Sequence, residues 1–245
     1  MRTIMVLNSK GGCGKTTIVT NLAGYYASIG LPVVLKDFDP QASSIEWLKQ
    51  RPYSKPAIHG ISPFRSQSGS TRSWQMRIPP ETKRIIIDTP AGIDLQRHSA
   101  IMKNVDKILI PVQQSAIDIR ATAMFIQELE KLFRISPTEA VIGLVANRAN
   151  QNSPSFFALQ RIFNNLDFEF IAVLNQNENY AHAAESGISI LEHDSPFVAQ
   201  SKQDWQPLIN WLEEGEDKKE KQQVLRATVS AAGYSNPFSR ASTFA

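Results

Sequence analysis

The chain alternates between short apolar runs and longer segments in which apolar residues recur every three or four positions. Short apolar runs rich in branched residues and bounded by turn residues are typical of buried strands. Six segments have this character, and a further short strand is expected near Ile58–Phe64. The six predicted strands are Thr3–Asn8, Pro32–Asp39, Arg84–Asp88, Lys107–Val112, Ala140–Asn147 and Phe168–Leu174.

Helical patterns occupy the segments between these strands. They cover Thr16–Ile29, Gln41–Gln50, Leu95–Met102, Ile117–Phe133 and Ser155–Asn165. Strands that are apolar throughout and alternate with helices predict an α/β fold with a doubly wound, mostly parallel sheet and helices on both faces. Ligands of such sheets bind beyond the carboxyl ends of the strands, so candidate chemistry is expected there.

Two segments depart from this alternation. Residues 51–82 are rich in proline, serine and arginine, and they predict an irregular excursion. Residues 213–245 begin with a charged stretch typical of a solvated helix and end in a sequence typical of disorder. The expected organisation is a single domain over residues 1–212, followed by a C-terminal helix and tail over residues 213–245.

Composition narrows the possible chemistry. The 245 residues carry a net charge of +3 and have a pI near 9.0, which permits contact with a polyanion without requiring it. The single cysteine, Cys13, excludes an internal disulfide, and the four histidines lack metal-ligand spacing. No apolar run is long enough to cross a bilayer, and no secretory leader is recognisable. We therefore expect a cytoplasmic protein.

The sequence "SKGGCGKTT" follows the first predicted strand and opens the first predicted helix. Gly11, Gly12 and Gly14 would let backbone N–H groups point into a hollow the size of a phosphate group. Lys15 could then reach the terminal phosphates of a nucleotide, and the Thr16 hydroxyl could bind Mg²⁺. A glycine turn before a helix is common in proteins that bind nothing, but the combination with Lys-Thr predicts a P-loop.

Carboxylates end two further predicted strands. Asp37 and Asp39 lie two positions apart, which on a strand would place them on one face, and Asp88 follows four apolar residues. Phosphoryl transfer needs one carboxylate near Mg²⁺ and another near the attacking water. Read alone, the Asp-Pro that follows Phe38 could equally mark a surface turn.

The segments "SKGGCGKTT", "DFDPQAS" and "IIIDTPAG", in this order, resemble the ParA/MinD family of deviant Walker ATPases. The resemblance extends over roughly residues 1–212 and explains why Ser9-Lys10 replaces the usual glycine-led start of the loop. It implies that Lys10 is the signature lysine, which reaches across a homodimer to the phosphates of the partner's ATP. A cation supplied in trans stabilises the nucleotide only when two subunits close over it.

The resemblance also implies roles for individual residues. Lys10, Lys15 and Asp39 would serve catalysis, with Asp39 orienting the attacking water. Thr16, Asp37, Asp39 and Asp88 would surround Mg²⁺. ATP would contact the loop and the end of the fifth predicted strand, through Lys10, Gly11, Gly12, Cys13, Gly14, Lys15, Thr16, Thr17 and Asn147.

The function implied by the resemblance is a slow, partner-stimulated ATPase of the ParA type. It would form a homodimer on ATP, bind nonspecific DNA of the nucleoid, and position or segregate a plasmid, a chromosome or a protein complex such as carboxysomes. An adaptor of the ParB or an analogous type would stimulate hydrolysis. Candidate DNA-binding residues are Arg120, Arg148, Arg161, Lys202, Lys218, Lys219, Lys221 and Arg226.

Alternative functions remain at this stage. A MinD-like ATPase bound to a membrane or protein scaffold is one, although residues 213–245 contain few large apolar residues for a membrane helix. A regulator of polysaccharide synthesis is another. An iron–sulfur electron carrier is excluded because one cysteine cannot hold the cluster, and an amidotransferase ligase would need a further large domain.

Overall fold

A seven-stranded, all-parallel sheet forms the centre of the protein in a computed structural model that describes residues 1–64, 77–96, 98–164 and 170–214. The strand order is β3-β2-β4-β1-β5-β6-β7. The strands are β1 Arg2–Val6, β2 Val33–Asp37, β3 His59–Ile61, β4 Arg84–Asp88, β5 Lys107–Val112, β6 Val141–Ala149 and β7 Phe170–Asn175. The predicted α/β architecture is confirmed, and the short strand expected near Ile58–Phe64 is β3.

Helices connect the strands. They are α1 Lys15–Ser28, α2 Ser43–Gln50, α3 Ser99–Met102, α4 Ala116–Ile135, α5 Pro154–Asn164, α6 Asn179–Glu185 and α7 Ala199–Glu213, with single 3₁₀ turns at Ile190–Glu192 and Pro196–Val198. The helix predicted from Leu95 begins only at Ser99. Met1–Leu212 forms one compact unit. The predicted tail lies almost wholly outside the described residues.

Apolar residues fill both faces of the sheet because successive strand residues point to opposite sides. On β1, Ile4 and Val6 pack with α1 and α7, whereas Met5 packs with α4 and α5. Trp205 is fully buried on the first of these faces and its indole N–H donates to the Tyr180 hydroxyl at 2.8 Å. Within the described residues, no helix has the length and apolar character needed to span a membrane.

Two adjacent strands bring their final carboxylates together. In the parallel register of β2 and β4, Asp37 lies opposite Asp88, and Val6 of β1 lies opposite Asp88 on the other side. The loop that leaves β1 therefore begins beside both carboxylates. This edge of the sheet contains the site described next.

Candidate nucleotide-binding site

The loop between β1 and α1 has the backbone conformation that its glycines predict. Gly12 has φ 76° and Gly14 has φ 96°, a left-handed region in which side chains are strained. A Cβ at Gly14 would also overlap the Asn147 amide. α1 begins at Lys15, so its first N–H groups point toward the hollow of the loop, where they can bind an anion.

The two lysines of the loop occupy different environments. Lys15 is 7% exposed, and its ammonium donates to the Lys10 carbonyl at 3.1 Å. The Lys10 side chain is 41% exposed, and its ammonium lies 3.7 Å from Asp118 at the start of α4. One cation therefore lies inside the loop, and the other lies at its rim.

Side-chain amides hold the loop in place. Asn8 accepts from the Lys10 amide at 3.0 Å, Gln113 donates to the Gly12 carbonyl at 3.0 Å, and Asn147 donates to the Cys13 carbonyl at 2.8 Å. Asn147, which was predicted to contact ATP from the end of the fifth predicted strand, thus contacts the loop between β1 and α1 itself. These bonds come from residues at or near the ends of three strands, and they hold the backbone of the loop.

Cys13 is an internal part of this loop. The thiol is buried and lies 3.2 Å from the Lys10 carbonyl. Burial raises the pKa of Cys13, and the nearby Lys15 charge opposes this only in part. The thiol is therefore protonated at neutral pH and is not an activated nucleophile.

Asp37 is fully buried and caps α2. One carboxylate oxygen accepts from the Ser44 amide at 3.1 Å, the Ser44 hydroxyl at 2.6 Å and the Ile45 amide at 3.3 Å. The other oxygen accepts from the Asp39 amide at 2.9 Å. Because both oxygens are already engaged, Asp37 fits contact with Mg²⁺ through water better than direct ligation.

Asp88 has the opposite environment. It is almost completely buried, and neither carboxylate oxygen has a hydrogen-bond partner in the structure. Burial, followed by the charge of Asp37, raises the pKa of Asp88 to about 7. The nearby side chains of Thr16 and Ser44 and the charge of Lys15 lower this pKa by smaller amounts. A buried carboxylate without a partner is costly unless a cation neutralises it.

These residues fit a magnesium ion. The unpartnered Asp88 carboxylate and the half-buried Thr16 hydroxyl are both hard oxygen donors of the kind that Mg²⁺ prefers. No group of three or more His, Cys, Asp or Glu side chains in the described part of the chain could hold a metal ion. Phosphate and water oxygens would therefore have to complete the coordination, as in nucleotide sites.

Asp39 lies in a turn and not on the strand, so the prediction that Asp37 and Asp39 share a strand face is wrong. β2 ends at Asp37, and Asp39 then accepts from the Gln41 amide at 2.9 Å and, through its carbonyl, from the Ala42 amide at 2.9 Å. Ala42 has φ 53°, which is unusual for a residue with a side chain. The partly exposed Asp39 is thus held on a strained turn between β2 and α2.

The candidate DNA-binding residues lie on separate elements where they are described. Arg120 on α4, Arg148 near the end of β6 and Arg161 on α5 are exposed, whereas Lys202 on α7 is half-buried. Arg148 has φ 51° and accompanies an irregularity in the pairing of β6 with β7. The other four, Lys218, Lys219, Lys221 and Arg226, lie outside the described residues.

Several residues that support the site were not identified from the sequence. Ser44 completes the Asp37 cap, Asp118 pairs with Lys10, and Gln113 holds Gly12. The spacing of Ser115 and Asp118 is that of a helix cap, and Ser115 does cap α4. That signal predicts that Asp118 lies at the start of a helix. It does not predict that Asp118 lies beside Lys10, because that contact depends on the pairing of β1 with β5.

Comparison with known proteins identifies the family. Residues 4–190 match the model of the CobQ/CobB/MinD/ParA nucleotide-binding domain. Among curated relatives, maintenance of carboxysome distribution protein A of Halothiobacillus neapolitanus is 28% identical over 191 residues, which are 78% of this chain and 87% of the relative. The chromosome-partitioning ATPase Soj of Thermus thermophilus is 47% identical over 51 residues, 21% of this chain and 20% of the relative.

Solved structures show the same fold. The MinD cell division protein of Aquifex aeolicus superposes with a TM-score of 0.64 at 18% identity and covers 88% of this chain and 98% of its own. A complex of Cyanothece McdA with ATP superposes with a TM-score of 0.62 at 16% identity and covers 85% of this chain and 96% of its own. At these identities the likeness establishes the fold alone.

Proposed function

The chain belongs to the CobQ/CobB/MinD/ParA nucleotide-binding family, and from this premise we propose that it is a Mg²⁺-dependent, ParA-type positioning ATPase. Residues 1–212 form the ATPase domain. Two copies close over ATP as a sandwich dimer, and the dimer binds nonspecific DNA of the nucleoid. Hydrolysis, which an adaptor protein stimulates, separates the dimer and releases it from DNA.

The contrast between Lys10 and Lys15 is the observation that supports this proposal most directly. A single loop lysine would suffice for a monomeric site, and the buried Lys15 fills that role. The Lys10 side chain is partly exposed at the rim, and its ammonium lies 3.7 Å from the Asp118 carboxylate. The ion pair is long at 3.7 Å and its lysine side chain is 41% exposed, so solvent weakens it and Lys10 can leave Asp118 for a phosphate of a partner's nucleotide.

The hydrolysis step assigns one task to each part of the site. Thr16 and Asp88 would hold Mg²⁺, with Asp37 contacting it through water, and the ion would supply positive charge beside the β- and γ-phosphates. Lys15, Thr17 and the loop amides hold the phosphates. Asp39 orients the water, whose oxygen attacks the γ-phosphorus while the bond to the bridging oxygen breaks, and Asp39 accepts the water's proton.

Relatives suggest the kind of cargo. Two curated relatives are named for carboxysome distribution, and others are named for chromosome partitioning. All of these names describe the placement of a large object inside a cell. We extend that role to this chain, with an adaptor of the ParB or an analogous type on the cargo.

DNA binding by an Asp39→Ala protein tests the proposal. This variant should bind ATP without hydrolysing it and so accumulate as the dimer. We expect it to bind unrelated DNA sequences with ATP but not with ADP, and to lose affinity steeply as salt rises. A dimer that binds no DNA at low salt would refute the nucleoid part of the proposal, and binding to lipid vesicles would then be measured.

A further inference from the structure

A buried ion pair lies between the end of α2 and the Ile190–Glu192 turn. Arg51 contacts Glu192 through both ends of its guanidinium, at 2.6 Å and 2.9 Å, and the two side chains are 5% and 1% exposed. The same guanidinium donates to the Pro56 carbonyl at 2.9 Å and to the Gly187 carbonyl at 3.3 Å. Arg51 therefore fixes α2, the loop after it and residues 187–192 to one another.

Two glycines allow close packing around this pair. A Cβ at Gly187 would overlap the backbone of Gln50 and Arg51, and a Cβ at Gly24 of α1 would overlap the side chains of Glu192 and Ser189. Gly187 therefore packs directly against the backbone at the end of α2, and Gly24 packs directly against the Glu192 and Ser189 side chains. A junction packed this closely transmits a displacement of one element to the others.

The junction continues to the phosphate loop through buried polar bonds. Asn21 of α1 donates to the Thr17 carbonyl at 2.7 Å, and its oxygen accepts from the Ile190 amide at 2.7 Å and the Ser189 hydroxyl at 3.0 Å. Glu192 in turn accepts from the Ser189 amide at 2.9 Å. Residues 189–192 are thus held to the first turns of α1.

α2 is held at both of its ends. Asp37 and Ser44 fix its N-terminus beside Asp88, and the strained turn that carries Asp39 leads directly into it. Arg51, next to its last residue, fixes its C-terminus. Both ends of this eight-residue helix are therefore fixed, one beside Asp88 and the other at Glu192.

We propose that Arg51 and Glu192 are positioning residues for ATP hydrolysis, which hold α2, and with it the Asp39 turn, in register with the phosphate loop that precedes α1. This inference rests on the proposed ATPase function. Stability alone is a poor explanation of the pair, because buried ion pairs can often be replaced by apolar residues without loss of stability. Positioning explains the two-pronged contact, which lysine could not reproduce.

The test compares steady-state ATP hydrolysis by the whole chain in the wild type and two variants. The first, Arg51→Met with Glu192→Gln, removes both charges, keeps the shape of the side chain next to Gly24, and leaves no unpaired buried charge. The second, Arg51→Lys, keeps the positive charge but loses the bidentate contact of the guanidinium with Glu192. Lys49→Met is the matched control, because Lys49 forms an exposed pair with Glu46 on the same helix.

We expect kcat to fall by about tenfold or more in both variants while KM for ATP changes by less than about twofold, since small misplacements of a catalytic group are costly and the phosphate loop is intact. Thermal unfolding of each protein is measured alongside. Should the double variant be unfolded at the assay temperature, Arg51→Lys decides by the same criterion. A folded variant with the kcat of Lys49→Met would overturn the proposal, as would a fall in kcat that merely follows the unfolded fraction.

Failure of this inference is distinguishable from failure of the proposed function. If the wild type hydrolyses ATP and Asp39→Ala does not, the ATPase assignment stands whatever the Arg51 variants do. If the wild type and Lys49→Met neither bind ATP nor hydrolyse it above background, the ATPase assignment itself is wrong, and the positioning roles of Arg51 and Glu192 are wrong with it.

Discussion

At pH 8, replacing Asp88 with asparagine should stabilise the nucleotide-free protein, and it should impair Mg²⁺-dependent ATP hydrolysis. The carboxylate is buried without a hydrogen-bond partner and lies beside Asp37, so its ionisation opposes folding. Its pKa rises from 3.8 to about 7 on folding, and each pKa unit corresponds to about 1.4 kcal/mol. At pH 8 the ionised group therefore lowers the free energy of unfolding by about 4 kcal/mol.

The pH dependence separates this charge effect from other consequences of the substitution. Because the folded pKa is raised, the acid form is favoured in the fold, and stability falls as pH rises from about 4 to about 7. The cost of the charge is about 2 kcal/mol at pH 5 and about 4 kcal/mol at pH 8. A buried asparagine amide without partners costs about 1–3 kcal/mol, equally at both pH values.

The assay is denaturant unfolding of the wild type and Asp88→Asn in the presence of a chelator, at pH 5 and at pH 8. The stability advantage of the variant should grow by about 2–3 kcal/mol between these pH values. Asp194→Asn is the control, because Asp194 is exposed. Its free energy of unfolding should differ little from that of the wild type at either pH. An Asp88→Asn advantage that does not change with pH would refute the reasoning.

Three further predictions follow from the site and the core. Lys15→Ala should abolish ATP binding in a calorimetric titration, because the buried loop cation is removed, and retained affinity would contradict its role. Gly14→Ala should weaken ATP binding by about tenfold or more, since the left-handed backbone and the Asn147 amide both oppose a Cβ; unchanged affinity would show that the loop adapts. Trp205→Ala should lower the unfolding midpoint by about 10 °C, because truncating a fully buried indole costs about 3–5 kcal/mol, and a shift below about 3 °C would mean that the core closes around the gap.

The sequence predicted those parts of the fold whose signal is local. Every predicted strand corresponds to a strand of the sheet, because an apolar run such as Arg84–Asp88 has no other stable environment than the interior. The P-loop glycines, Asp37 and Asp88 were also predicted to lie at one edge of the sheet, because each follows or ends a strand of a parallel sheet. The last helix, α7, could have been predicted from the spacing of Trp205, Leu208, Ile209 and Leu212, whose buried face follows a helical period.

Other features depend on tertiary contacts and carry no local signal. At the turn that carries Asp39, the Phe38 amide donates to the backbone carbonyl of Asp88 on the neighbouring strand, and the Asp37 carboxylate accepts from the first amides of α2. The partner of Lys10 on α4 and that of Arg51 in the Ile190–Glu192 turn lie more than a hundred positions away in the sequence. Such pairs become visible only when the strand order is known.

The dimeric state of the Asp39→Ala protein with Mg²⁺ and ATP, measured by analytical ultracentrifugation, tests the central claim most directly. The account predicts a dimer with ATP, a monomer with ADP, and a monomer with ATP when Lys10→Ala is added, although that double variant still binds ATP. A Lys10→Ala protein that dimerises as fully as its Asp39→Ala parent would contradict the claim that Lys10 acts across the interface.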